Sequence, residues 1–438
     1  MDSEQTLVGR KRMQYLYGQD AEAASETVVD AFNLSEKKED IRYHNGQAYY
    51  NFVGICVSHD KVLIVFPKHT YSVYDNKVDK LADAKLLFSV ILKYLSKNYG
   101  THNSDDYAGG LSVLDSTFPF YAVNRIFEYY DKFGLYKNRE MIVSEKDGNN
   151  YLWNRIINDS QPFLTDGGVL YTPLYRKKFN DRYNFISKAM SFVMNYSIQL
   201  LPFIFTGRNC IKELQHYQNE FSNFMFVVKR LESILRSTFK NIDRQLIICL
   251  IDFFKSRNRT SKDEHIKIRY FDMIWQDMVE KYLNVYFRSI NRKGLPEFND
   301  TPLRSPNCKY FVEEKRESID SSQNKWTIRM DHYHIDDNYQ LIFDSKYYED
   351  EAGLNYKQVT YHNEMMKRFR SEDDPTLNKI QTVSALFFPG NNGIREHYRT
   401  NKKYLVLNSN NIPIVKADEV VIWAVYLSVK RMMQIYVD

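Results

Sequence analysis

Apolar positions along this chain switch between two spacings. Short runs and two-residue alternation mark strands, while three- and four-residue spacing marks helices. Residues 51–68, NFVGICVSHDKVLIVFPK, hold two runs rich in β-branched and aromatic residues around Ser58-His59-Asp60. They predict a hairpin with strands at 49–57 and 61–66. Residues 1–40 are polar, with a short helix expected near 21–32. Leu81, Leu86, Leu87, Val90, Ile91 and Tyr94 recur at helical spacing over 79–99. After a polar loop at 98–110, a helix at 120–130 and a short β-wing within 134–151 follow. Helices are expected at 179–201, 210–241 and 265–287. A hairpin at 326–348, a helix at 357–370, a strand at 379–388, a second hairpin at 403–407 with 412–416, and a closing helix at 418–436 complete the pattern. The sum is an α+β multidomain chain. It divides into a small β-rich module (1–75), a helical, winged-helix-like module (76–160), a helical region (161–260) and an α/β domain (261–438).

The hairpin at 326–348, WTIRMDHYHIDDNYQLIFDSKYY, also carries chemistry. Ile335, Asp336, Asp337 and Asn338 supply its turn, because Asp and Asn tolerate turn dihedrals and cap their own backbone. With the turn centred between Asp336 and Asp337, Asp331 lies opposite Ile342. Asp331, Asp344 and Lys346 then share one face. Asp331 and Asp344 become diagonal neighbours, about 7–8 Å apart between α-carbons. Two carboxylates at that reach can share a hard divalent ion such as Mg²⁺ or Mn²⁺, with the Ser345 carbonyl as a further oxygen ligand. Such an ion polarises a phosphate and lowers the pKa of bound water, and Lys346 can orient that water or offset developing charge. The acid-x-Lys triplet alone carries little weight. Glu36, Asp75 and Glu313 begin others, yet none follows an apolar strand with an upstream Asp on a hairpin.

Composition narrows the classes. The chain has 438 residues, 26% charged and 43% hydrophobic, with a formal charge of +5. That is a soluble globular mix, long enough for several cores, and mildly basic, which permits nucleic-acid binding without demanding it. Cys56, Cys210, Cys249 and Cys308 form no CxxC pair. This argues against a zinc site or a disulfide framework and fits a reducing cytoplasm. No apolar run is long enough to span a bilayer. No G-x-x-x-x-G-K-S/T loop occurs, so nucleotide hydrolysis is not expected from this chain alone. Lys229, Arg230, Arg236, Lys240 and Arg244 form a basic stretch with two readings, a solvated helix face or a phosphate-tracking surface.

The Asp331, Asp344-Ser345-Lys346 arrangement resembles the PD-(D/E)xK nuclease core, with Met330 in place of the usual Pro. The short matches NFVGICVSHDKVLIVFPK, Leu152-Trp153-Asn154-Arg155, Met273-Ile274-Trp275 and Lys357-Gln358 extend the likeness in order along most of the chain. Together they resemble LlaJI-type restriction endonucleases, relatives of the McrC subunit. That resemblance implies a C-terminal restriction-endonuclease-like domain and Mg²⁺- or Mn²⁺-dependent cleavage of DNA. It also implies work beside an McrB-like AAA+ GTPase engaged by residues 1–160, and a place in a phage-defence system that can include a cognate methyltransferase. It adds Gln358, with Tyr361 one turn on, near the active site. It further points to a metal-shell acid on the helix before the hairpin, where this chain has Gln276, a residue that can hold a water but ligates weakly. Asp277 and Glu280 are the nearby acids. Two other readings stay open: a non-catalytic activator of the GTPase with a degenerate nuclease fold, and a stand-alone type II-like or repair endonuclease.

Overall fold

The alternating runs at the front of the chain become one sheet, and the Asp-bearing hairpin becomes part of another. The computed structural model describes residues 13–71, 79–98, 114–147, 150–205, 207–212, 214, 220–257, 264–318, 327–348, 356–367, 380–399, 406–407, 413–415 and 420–438. Trp326, Lys379 and most of the expected 98–110 loop lie outside them. The chain divides into two units, Met1–Thr117 with Ser261–Asp438, and Phe118–Thr260. The expected modules 1–75 and 261–438 both fall in the first. The α+β class is as expected, and no helix among the described residues is long and apolar enough to cross a membrane.

In the first unit, β1 (Gln14–Gln19), β2 (Val53–Ser58), β3 (Lys61–Phe66), α1 (Lys80–Asn98), β4 (Leu114–Ser116) and β5 (Glu264–Ile268) come first in chain order. The five strands form a sheet in the order β1-β3-β2-β5-β4. The β2–β3 hairpin closes at the pair Ser58↔Lys61, and His59 takes a positive φ of 54° in the turn. A short α-helix occupies Glu26–Ala31 within the expected 21–32 stretch. β5 corrects the helix expected over 265–287. The chain first makes a strand that inserts between β2 and β4, and the helix α2 begins only at Phe271 and runs to Tyr286. Its residues His265-Ile266-Lys267-Ile268 do alternate, but the alternation is only a few residues long and runs straight into the helical spacing of α2. Gly54 is needed at this junction: its φ is 151°, and a Cβ would sit 2.0 Å from the Ile266 carbonyl oxygen of β5.

The second sheet follows α2. It comprises β6 (Val312–Ser318), β7 (Thr327–Ile335) and β8 (Tyr339–Ser345), then helix α3 (Tyr356–Lys367), then β9 (Gln381–Pro389), β10 (Gly393–Arg399), β11 (Val421–Leu427) and the helix α4 (Val429–Val437). The strand order is β6-β7-β8-β9-β11-β10, with β8, β9 and β11 mutually parallel at the centre. The helix expected over 418–436 is thus a strand followed by a shorter helix. Val421–Leu427 is an apolar, β-rich run at the sheet centre, and Ser428 caps α4 by accepting from the Arg431 N–H. A small hairpin pairs Val406–Leu407 with Pro413–Val415, inside the expected second hairpin.

Each face of this sheet has its own cover. Tyr361 and Met365 of α3 pack with Ile328, Met330, Tyr333 and Ile342. On aromatic contacts, Phe343 lies 5.4 Å from Phe311 and 5.3 Å from Phe387, centroid to centroid. Full burial of Ile342 and Phe343 contributes about 1.5–3 kcal/mol each, which fixes the strand carrying Asp344. Helix α4 packs against α1 and α2.

In the second unit, a strand, Asn138–Ser144, lies where a β-wing was expected after the helix Phe120–Phe133, but it does not close a hairpin within 134–151. Its partner is Arg176–Arg182, which also pairs with Asn150–Tyr151. Arg176–Arg182 therefore corrects the helix expected from residue 179, which starts only at Phe185, after the Asn184 capping box. Of the helix expected at 210–241, Phe224–Arg236 is helical, and a separate helix, Asn241–Arg257, begins where it was expected to end. Three of the basic residues on this stretch have local partners, Lys240 pairing with Asp243 at 4.0 Å. Arg230 lies 4.1 Å over the Phe185 ring, and Arg244 donates to the carbonyls of Leu235 and Thr238 at the end of the preceding helix.

Candidate active site

The turn sets the register of the Asp-bearing hairpin. Asp336 Oδ1 accepts from the backbone N–H groups of Asn338 (2.8 Å) and Tyr339 (2.7 Å), and the Asp336 N–H donates to the Tyr339 carbonyl at 2.9 Å. Asp337 and Asn338 are therefore the central pair, and Ile335 stays in β7, paired with Gln340. The register lies two residues from the expected one, because Tyr333, not Asp331, stands opposite Ile342. A two-residue shift preserves the face of every side chain. One step beyond the last paired residues, His332↔Phe343, come Asp331 and Asp344, closer neighbours than the expected diagonal.

These groups meet at the carboxyl end of β8, in a cleft of about 380 Å³ lined by Asp331, Asp344, Ser345, Lys346 and Gln276 among others. Open α/β sheets bind ligands beyond the carboxyl ends of their parallel strands. Asp331 Oδ2 accepts from the Ser345 N–H at 3.0 Å. Asp344 is 2% exposed and forms an ion pair with Lys346, while its Oδ1 is buried without a hydrogen-bond partner. Burial pushes the Asp344 carboxyl up, and the Asp331 charge adds to the push while Lys346 opposes it. Burial works against the Lys346 ammonium, but Asp344, with Asp331 behind it, outweighs that and raises its pKa.

Neighbouring groups brace the end of β8. His332 lies within 2.8 Å of Ser345 Oγ through Nε2. Burial drives its imidazole pKa down to about 4, so the ring is neutral at physiological pH. The Phe387 carbonyl accepts both the Lys346 N–H (2.9 Å) and the Trp275 indole N–H (3.1 Å). That shared acceptor ties α2 to the strand ends and sets Gln276 beside the carboxylates. Asp277 and Glu280 serve another surface. Asp277 accepts from Lys97 of α1 at 2.8 Å and from the Tyr436 hydroxyl of α4 at 2.9 Å, and Glu280 lies 3.9 Å from Lys97.

Gln358 sits on α3, outside the set of residues that line the cleft. It is 1% exposed, and its Nε2 donates to the Ile342 carbonyl at 2.9 Å. It braces β8 from α3, and the preceding residue, Lys357, lines the cleft. The Tyr361 hydroxyl, on the same side of α3, accepts from the Arg329 N–H at 3.4 Å. The sequence reading passed over His332, whose neighbour Asp331 drew the attention, and the basic residues Arg42, Lys68 and Arg329, which also line the cleft. The adjacency of His332 to Asp331 was a usable signal, whereas nothing local marked the other three.

The donor set suits Mg²⁺ or Mn²⁺. Among the described residues no group of three or more His, Cys, Asp or Glu side chains could hold a metal. Two carboxylates, one with an orphaned buried oxygen, remain. Mg²⁺ is commonly bound by one or two carboxylates, with water and substrate phosphate completing its shell.

The position of Gln276 gives a direct test. If the cleft holds Mg²⁺ or Mn²⁺, Gln276→Ala is expected to weaken metal binding about 10- to 100-fold, the usual cost of losing an outer-shell partner, and Gln276→Glu should be tolerated. Asp277→Ala and Glu280→Ala should lower the melting temperature more than the cleavage rate. Indifference at Gln276 with loss of cleavage at Glu280 would reverse the assignment.

No curated protein matches the sequence. Similar solved structures include a chain of a half-complex from a tetradecameric assembly of Thermococcus gammatolerans McrB AAA+ hexamers with bound McrC. It is 11% identical, with a TM-score of 0.38, over 97% of this chain and 98% of that one. Another belongs to the McrBC complex of Thermococcus gammatolerans, at 9% identity and a TM-score of 0.25, over 61% of this chain and 89% of that one. The family model of the LlaJI restriction endonuclease matches residues 52–430, which include the whole second sheet, four of the five strands of the first, and Asp331, Asp344 and Lys346, and the chain belongs to that family.

Proposed function

We propose that the protein is a Mg²⁺-dependent DNA endonuclease of the PD-(D/E)xK type and the cleavage subunit of a phage-defence restriction complex. The observation that carries this is the meeting of Asp331, Asp344 and Lys346 in one cleft, at the carboxyl end of a central strand, in a member of a restriction endonuclease family. Asp331 and Asp344 would hold the ion, with the Ser345 carbonyl and Gln276 beside it. The bound ion would polarise the scissile phosphate and lower the pKa of an attacking water. Lys346 orients that water and offsets the charge that develops on phosphate oxygens. Gln358 and His332 position β8 without touching the substrate. Division of labour with an McrB-like AAA+ GTPase rests on the sequence resemblance to McrC-related nucleases. A cognate methyltransferase belongs to the same reading.

One feature favours a second reading, a non-catalytic activator of the GTPase. Gln276 stands where an acid would strengthen the metal site. The two readings separate in one experiment. The full-length protein is incubated with supercoiled DNA, Mg²⁺ and an McrB-like GTPase with GTP, beside its Lys346→Ala variant. The nuclease reading expects wild-type cutting, about a hundredfold or more slower in the variant. Stimulated GTP hydrolysis with no cutting by either protein selects the activator. Full-rate cutting without the GTPase removes the partner from the proposal.

A further inference from the structure

We propose that the N-terminal β-module forms one wall of the cleft and that Arg42 and Lys68 bind backbone phosphates of the DNA being cut. This inference rests on the nuclease reading and assigns residues to its substrate. The cleft that contains Asp331, Asp344 and Lys346 is also lined by Arg42, Asn51 and Lys68, which lie nearly 300 residues upstream in the chain. Its cations are Arg42, Lys68, Arg269, Arg329, Lys346 and Lys357. Asp20 and Asp272 line it beside Asp331 and Asp344, and a polyanion approaching four carboxylates needs such a rim, because the acids repel it.

The cations are not equivalent. Arg269 lies 2.9 Å from Asp115 and 3.5 Å from Glu39, so its charge is largely offset by its own module. Lys346 is engaged with Asp344. Lys68 is held in place by the residue next to Lys346. Its backbone N–H donates to the Tyr347 hydroxyl at 2.9 Å, and its ammonium lies 5.1 Å over the Tyr347 ring. Tyr347 is 9% exposed, and its ring packs on Phe271 at 5.4 Å. The latch therefore fixes the end of β3 against the loop that leaves β8. Arg42 is exposed on the short strand Ile41–His44, directly after a buried anchor, since Asp40 accepts from Lys267 of β5 at 2.8 Å. Asn51 joins the same turn, its N–H donating to the Asp40 carbonyl at 3.0 Å and its amide to the Glu39 carbonyl at 2.9 Å. Two cations on rigid backbone, facing the cleft that holds the acids, form a track for phosphates on either side of the one to be cut.

The test is the salt dependence of DNA binding. The full-length protein and its Arg42→Ala and Lys68→Ala variants are titrated with a double-stranded oligonucleotide over a KCl series in Ca²⁺, and steady-state cleavage is followed in Mg²⁺. Each removed phosphate contact should flatten the plot of log affinity against log salt by about 0.9. KM should rise more than kcat falls, and Arg42→Lys and Lys68→Arg should restore the slope. Unchanged slopes in both alanine variants, with cleavage still lost in Lys346→Ala, overturn this inference alone. Flattened slopes in the alanine variants, with a wild type that never cuts, overturn the nuclease reading alone. A wild type that binds no DNA overturns both.

Discussion

Asp344→Ala, assayed as the full-length protein with Mg²⁺ and the GTPase supplied, is expected to slow DNA cleavage by about a thousandfold or more. Asp344 is nearly inaccessible, has an oxygen with no partner, and sits beside a second carboxylate. Only the ion pair with Lys346 offsets the cost of that arrangement to the fold. Burial and the Asp331 charge both disfavour the ionised form, which is why the carboxyl pKa is pushed up. A divalent cation would satisfy the orphaned oxygen and remove the repulsion together. Mg²⁺ or Mn²⁺ should therefore raise the melting temperature of the wild type by an amount that grows with the logarithm of its concentration. The Asp344→Ala variant should lose this response while keeping its DNA affinity, because deleting a carboxylate does not weaken contacts to phosphate. Metal stabilisation equal in the two proteins, or equal cleavage rates, would remove Asp344 from the metal site.

The hairpin that carries this chemistry was legible because its signals are local. A turn of Asp and Asn joins a mixed arm to an arm with the apolar run Leu341-Ile342-Phe343, and the face shared by Asp331, Asp344 and Lys346 survives a two-residue error in register. Val421–Leu427 is an interior strand with no polar alternation to separate it from a helix. Glu264–Ile268 does alternate at His265-Ile266-Lys267-Ile268, but those few residues run straight into the longer helical spacing that follows. The insertion of β5 beside β2 joins residues about two hundred positions apart, and no periodicity encodes such a pairing. The same long-range folding brings Arg42 and Lys68 to the cleft. It also explains why Gln358, close in sequence to the acid-x-Lys triplet, braces the strand while Gln276, far upstream, lines the site.

Asp40→Ala should cost the first unit about 3–5 kcal/mol of stability, the range for removing one partner of a buried ion pair. Asp40 is 1% exposed and Lys267 is 4% exposed, and their side chains meet at 2.8 Å. Alanine would leave the Lys267 ammonium buried beside the Phe52 ring, 5.4 Å away, with its carboxylate partner gone. The turn would also lose the contact between the Ser35 N–H and Asp40 Oδ2, 3.3 Å. Thermal or denaturant unfolding followed by hydrogen exchange in β5 reads the loss. Replacing both partners with apolar residues, Asp40→Leu with Lys267→Met, should recover most of it, because a packed apolar pair avoids the desolvation that the charges undergo. A loss under about 1 kcal/mol in Asp40→Ala would mean that the pair behaves as a solvated surface contact. The recovered double variant then separates packing from function. If the ion pair serves to aim the turn that carries Arg42 and Asn51 at the cleft, the variant will be stable yet bind DNA with a flattened salt dependence. If apolar packing holds that turn equally well, its salt dependence will match the wild type, and the charges will have only a stabilising role.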